Sequence, residues 1–161
     1  MEKKQRLFEQ LCAKHFKFLI ERYGFKKLKP DKDAYGCRVT YIGKTTGVKV
    51  SYEYKDGGLF VLLARLINGK MPPYPVFVKP DSVLNQFYLE DIVAVKHPSF
   101  QLKQNFDDIV NPTLEELESS LSNYAEALQI YGQDILKGDF SIFSKLEERV
   151  KKRAEGLRKQ D

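Results

Sequence analysis

Residues 35–67 read YGCRVTYIGKTTGVKVSYEYKDGGLFVLLARLI, and the period of their side chains decides the fold. Tyr35, Cys37, Val39 and Tyr41 alternate with Gly36, Arg38, Thr40 and Ile42, and Val48, Val50, Tyr52 and Tyr54 alternate with Lys49, Ser51 and Glu53. A period of two sends successive side chains to opposite faces, so both stretches predict half-buried strands. Gly43-Lys44-Thr45-Thr46-Gly47 predicts the hairpin loop between them, and Lys55-Asp56-Gly57-Gly58 supplies residues that tolerate positive φ for a second tight turn. The third run, Leu59 to Ile67, is apolar on both faces and interrupted mainly by Arg65, so its second face requires a cover.

Upstream the period is 3.6. Phe8, Leu11, Cys12, Phe16, Leu19, Ile20 and Tyr23 recur at three- and four-residue steps, which predicts an amphipathic helix over Leu7–Tyr23. Gly24 stands where a left-handed residue ends a helix, and Phe25 to Leu28 opens the sheet.

Downstream, Met71-Pro72-Pro73-Tyr74-Pro75 reads as a rigid connector because proline fixes φ, with a short strand expected at Val76-Phe77-Val78. A helix then begins either at Asp81 or Ser82, with Leu84, Tyr88, Ile92 and Val95 on one side, or later, near Leu89. In both cases Lys96-His97-Pro98 ends it. Thr113 and Glu116 form a capping box, after which Leu114, Leu117, Leu121, Tyr124, Leu128, Tyr131 and Ile135 stripe a long helix ending at Gly138. Ile142, Phe143, Leu146 and Val150 open a last helix with a frayed charged tail at 155–161.

The expectation is one α+β domain over 1–161: an N-terminal helix, an antiparallel three- to four-stranded meander, a short helix and a C-terminal antiparallel helical hairpin. The N-terminal helix is expected on one face of the sheet and the hairpin on or beside the other, which would cover the doubly apolar strand. Packing within the fold accounts for the stripe of the long helix; its three heptads also admit a homodimer as the alternative to a monomer.

Composition narrows the function. Among 161 residues, 42% are hydrophobic and 30% charged, and 11 Phe and 9 Tyr with no Trp supply the large core side chains. Charge is segregated: 16 Lys and Arg stand against 7 Asp and Glu in residues 1–70, 4 against 11 in 71–140, and 7 against 4 in 141–161. A basic face built from the first segment, with Arg38, Lys44, Lys49 and Lys55 as its residues, would attract an acidic protein or nucleic acid. No apolar run approaches the roughly 20 residues of a membrane helix, so a soluble cytoplasmic chain without membrane partner is expected. Cys12 and Cys37 are too few for a disulfide scaffold, and with only His15 and His97 no zinc spacing exists; no cofactor or metal site is expected.

Catalytic constellations are weak. Cys12 and His15 share a helix face, but that face is apolar, where cysteine behaves as a small inert hydrophobe. His97, beside Ser99 and near Asp91, is the acid–base candidate, against a helix-terminal role at the dipole. The pairs Asp107-Asp108, Glu115-Glu116 and Glu147-Glu148 lack calcium-loop spacing, and no phosphate-binding glycine loop occurs. Lys55 to Val61 is reminiscent of an RNA-recognition octamer, yet Leu59 replaces a stacking aromatic and Asp56 breaks the glycine pattern.

The stretch Gly138-Asp139-Phe140-Ser141-Ile142-Phe143, preceded by the long amphipathic helix and followed by Leu146-Glu147, resembles the C-terminal region of small bacterial α+β proteins, some of them immunity-protein-like. That resemblance covers under a third of the chain, implies a bacterial cytosolic protein and carries over no functional residue. The reading is a non-catalytic, cytoplasmic protein-binding or immunity-type protein. The alternatives are a nucleic-acid-contacting module that uses the basic N-terminal half, and an enzyme whose site is assembled only in three dimensions.

Overall fold

The computed structural model describes residues 2–55, 58–104, 106 and 111–160. Helices α1 (Glu2–His15) and α2 (Lys17–Glu21) lead into short strands β1 (Lys26–Lys27) and β2 (Asp31–Lys32), then β3 (Gly36–Ile42), β4 (Thr46–Glu53) and β5 (Gly58–Arg65). Strand β6 (Gln86–Tyr88) runs directly into α3 (Leu89–Lys96), followed by α4 (Leu114–Tyr131), α5 (Gln133–Leu136) and α6 (Phe143–Lys159). The sheet is antiparallel, ordered β1-β3-β4-β5-β6, with β2 also on β3. The chain is α+β, and no described helix is long and apolar enough to cross a membrane.

Register sorts the side chains. Cys37, Tyr52 and Leu59 stand in one row, Val39, Val50 and Val61 in the next, and Tyr41, Val48, Leu63 and Phe87 in a third; all ten are buried. Residues directly across a ladder share a face. This inner face receives every helix that touches the sheet. Phe8 meets Tyr52 at 5.8 Å, Phe16 meets Tyr41 at 6.4 Å, Phe143 meets Phe87 at 4.8 Å, and Thr46 donates to the Ile135 carbonyl at 2.6 Å. The expected two-sided arrangement is therefore corrected: the helices form a single layer on one face.

The second face of β5 is covered by chain without secondary structure. Asn68 and Gly69 both take positive φ, 53° and 75°, so Ile67 and Lys70 exchange reciprocal backbone hydrogen bonds and the chain reverses sharply. The proline-rich segment then lies over the outer face. The Gln86 amide donates to the Pro72 carbonyl at 2.8 Å, and a Cβ on Gly47 would stand 2.3 Å from Met71 Sδ. Val76 to Val78 makes no strand: Val76 and Phe77 are 89% and 77% exposed, and Pro72, Pro73 and Pro75 before them have no N–H with which to extend a ladder.

Local signals hold at the helix ends. Gly24 has φ 69° and Gly138 φ 91°, and Thr113 Oγ1 accepts from the Glu116 amide at 3.1 Å. The N-terminal helix is interrupted at Phe16, which is turned fully into the core, and the long C-terminal one at Gly132, where a Cβ would meet Leu128 at 2.7 Å and Leu63 at 3.4 Å. Of the two expected starts for the middle helix, the later one is found, because residues 86–88 pair with 62–64. Helix α3 packs against both α4 and α6, so the expected hairpin is opened by a third helix between its arms. Leu117, Leu121, Tyr124 and Leu128 are consumed in the core, and α6 stays helical to Lys159 with its last turns exposed.

Candidate binding face

The side of the sheet away from the helices is built in rows. Glu53 lies between Gly36 and Gly58; Arg38, Ser51 and Phe60 follow; then Thr40, Lys49, Leu62 and Tyr88; then Ile42, Gly47, Ala64 and Gln86. The last row lies where the Met71 to Tyr74 segment crosses, as the contacts of Gly47 and Gln86 with it place it. What that cover leaves is an aromatic row: Phe60 to Tyr88 at 5.8 Å and Tyr88 to Tyr74 at 6.1 Å, each ring half-buried or barely exposed. Burial pushes the hydroxyls of Tyr74 and Tyr88 up, so both remain protonated donors at neutral pH.

Two sets of cations flank this row. On the β4 side stands Lys49, half-buried, its ammonium pushed below the ordinary lysine value by burial and by Arg38. On the α6 side, Arg149 and Arg153 converge on the buried carboxylate of Asp91, which burial pushes up but the two guanidinia hold below its ordinary value. In the loop between β5 and β6, Val76, Phe77 and Val83 are 89%, 77% and 75% exposed.

The four basic residues read from sequence do not form one surface. Arg38 donates to both Glu53 oxygens at 2.8 Å and to Asp33 and Asp31 at 3.0 and 3.3 Å, so three carboxylates surround it. Lys44 lies in the β3–β4 turn and Lys55 beyond the opposite end of β4, a separation of roughly 25 Å. Lys49 alone adjoins the aromatic row. Part of the N-terminal basic charge instead lines the sheet edge, with Lys26, Lys27 and Lys32 on β1 and β2, where lysine discourages pairing with another strand.

The catalytic candidates separate. Cys12 is fully buried and its thiol pushed well up by burial, while His15 turns to Glu118, 3.1 Å from Nε2, and ties α1 to α4. His97 caps α3, with Nδ1 3.1 Å from Ser99 Oγ and its ring against Phe100 and Tyr131 at 6.0 and 6.1 Å. No carboxylate among the described residues joins it, since Asp91 is held by the arginines. An open groove of about 510 Å³ beside it is lined by Phe100, Ile130 and Tyr131 rather than by His97. Glu115 and Glu116 occupy the first turn of α4, and Glu147 on α6 accepts from the Leu84 amide at 2.9 Å. Asp107-Asp108 and the Asp56-Gly57 turn lie outside the described residues. No group of His, Cys, Asp and Glu among the described residues is arranged to hold a metal.

One buried acid escaped the sequence reading. Glu90 accepts from the Tyr124 hydroxyl at 2.5 Å, and its other oxygen is buried without a partner. Burial pushes its carboxyl above the ordinary glutamate value. Tyr88, Arg149 and Arg153 were missed too: Tyr88 fits a helix step from Leu84 as well as a strand, and the arginines sit in what reads as a solvated charged tail. The apolar outer side of β5 was the signal that something lay there.

Comparison with family models, with curated proteins and with solved structures finds no match to the chain.

Proposed function

We propose that the protein is a non-catalytic, cytoplasmic binding protein of the immunity type, which occludes an acidic surface of another protein with its outer sheet face. The observation that carries this reading is the row of Phe60, Tyr88 and Tyr74 on the outer face, with Lys49 in the same rung of the sheet as Tyr88 and with Val76, Phe77 and Val83 exposed in the loop between β5 and β6. Exposed aromatic and aliphatic side chains rimmed by charge have the make-up of a protein interface, with arginine and tyrosine as its anchors. The bacterial, immunity-like resemblance of residues 138–147 points the same way.

The test is photocrosslinking from benzoylphenylalanine placed at Phe77 and, as control, at Ile130, in the cell that encodes the protein. The reading expects a defined protein crosslinked from position 77 and not from 130. Once purified, that protein should form a stoichiometric complex that Phe77→Ala weakens by about tenfold or more. A complex unaffected by Phe77→Ala and by charge reversal at Lys49 refutes the face.

A second reading, single-stranded nucleic acid, is favoured by one feature, the row of three rings beside Lys49, since stacking platforms flanked by cations hold bases without sequence preference. Salt-sensitive binding of a short oligouridine, lost in Tyr88→Ala, would favour it over the first.

A further inference from the structure

Asp91 lies in the first turn of α3 and is only 4% exposed. A carboxylate so placed needs full compensation, and it has more than that. Arg149 Nε donates to Oδ1 at 3.0 Å, while Arg153 donates through Nη1 to Oδ1 at 2.8 Å and through Nη2 to Oδ2 at 3.0 Å. The spacing of four residues puts both guanidinia on one side of α6. Two cations on one anion leave net positive charge in a fixed place, and the bonds to Asp91 orient the planes that a lysine would leave free.

The donors are not used up. Among the described residues nothing accepts from the two terminal amino groups of Arg149, and the Arg149 and Arg153 side chains are 46% and 48% exposed. Tyr74 and Tyr88, their rings 6.1 Å apart, both lie within electrostatic reach of Arg153 and Asp91, and Tyr88 also of Glu90 and Glu53. The two guanidinia held by Asp91 thus stand where α6 passes the β6 edge of the sheet.

We propose that Arg149 and Arg153, seated on Asp91 beside Tyr74 and Tyr88, form an oxyanion site that takes a carboxylate or phosphate group. Guanidinium N–H groups match such oxygens in pairs, and an arginine already held by a buried carboxylate loses less freedom on binding than a free one. Asp91 serves as the fixed counter-charge that aims the forks, not as the ligand's competitor. The site goes beyond the docking reading: the oxyanion arrives free or on a side chain, and the aromatic rings beside it favour a flat carrier.

The full chain, ¹⁵N-labelled, would be titrated with inorganic phosphate and separately with O-phospho-L-tyrosine, observing the arginine Nε–Hε resonances at ionic strength held constant with sodium chloride. Saturable shifts at Arg149 and Arg153 are expected with both. Arg149→Gln, which keeps the two-pronged Arg153–Asp91 contact, should weaken them by about tenfold, the loss of charge-assisted hydrogen bonds. Phosphotyrosine binding tighter than phosphate, with the difference lost in Tyr74→Ala, assigns the oxyanion to an aromatic carrier; equal binding assigns it to a free anion. No saturable shift, shifts matched by chloride alone, or an unchanged affinity in Arg149→Gln with a native amide spectrum overturns the site. Because neither probe is a protein, this outcome is independent of whether Phe77 contacts one.

Discussion

Arg38 on β3 and Glu53 on β4 meet through two parallel hydrogen bonds, Nε to Oε1 and Nη2 to Oε2, both 2.8 Å. They lie diagonally on the outer face, and Asp33 adds a third bond to the same guanidinium at 3.0 Å. The carboxylate of Asp33, held below its ordinary value by the Tyr35 amide and by Arg38, also caps the turn before β3 through the amides of Tyr35 and Gly36. Arg38 therefore staples the edge of the sheet rather than reaching for a partner. Arg38→Ala should cost about 1–3 kcal/mol in urea denaturation, and a double-mutant cycle with Glu53→Gln should recover a coupling of about 1 kcal/mol. A cycle that sums to zero would release Arg38 for binding.

Gly47 tests the cover of the outer face. A methyl group there meets Met71 Sδ at 2.3 Å and Leu66 Cδ2 at 2.8 Å, so in Gly47→Ala these two side chains must move aside and the packing of Met71 on the outer face is loosened. The expected cost is about 1–3 kcal/mol. Met71→Ala should remove most of it in the double variant, as seen by the shift in the denaturation midpoint.

Glu90 sets a pH dependence whose sign is fixed by its environment. Its folded carboxyl titrates above the ordinary 4.5 because of burial, so the folded state binds more protons than the unfolded one between those two values. Stability contributed by Glu90 is greatest below the ordinary value and is lost as pH rises through the raised one. Glu90→Gln, which can still accept from Tyr124, should stabilise the protein at neutral pH and flatten the fall in its stability as pH rises above 4.5. A variant less stable than the parent at neutral pH would show that the ionised form is the one the fold prefers.

Cys12 and Cys37 are fully buried, and burial pushes the Cys37 thiol up to about 11. Both should resist a bulky aromatic disulfide reagent in the native state and react together when the chain is unfolded. Rapid reaction of Cys12 alone would return it to consideration as a nucleophile beside His15.

The meander was legible because the alternation is uninterrupted within each strand, and every second residue from Cys37 to Tyr41 and from Val48 to Tyr52 is buried. The helix ends were legible for the same local reason: Gly24, Thr113 and Gly138 perform tasks that few other residues can. Placement of layers was not. An apolar second face on β5 states that a cover exists but not whether a helix or a proline-rich strap supplies it. The chain at 84–92 satisfies both periods, and only pairing of Phe87 with Leu63 decides between them. At the candidate site, the neutralisation of Arg38 depends on Asp31 and Asp33, which no periodic signal marks, and the exposure of the aromatic row depends on where Pro72 lands.

Strand β6 covers only the second half of β5, and the place it leaves empty is taken by a single side chain. The Gln104 carboxamide accepts from the Leu59 amide at 2.7 Å and donates to the Leu59 carbonyl at 2.5 Å, imitating one residue of a neighbouring strand. Gly58 permits it, since a Cβ there would stand 2.4 Å from Gln104 Oε1. An amide can play both parts; a carboxylate cannot. Hydrolysis of this one group to glutamate would keep an acceptor for the Leu59 amide but set a carboxylate oxygen against the Leu59 carbonyl, which would lose its donor. The Gln104 carboxamide thus does at the border of the sheet what one more strand would do, closing a place where another chain could pair.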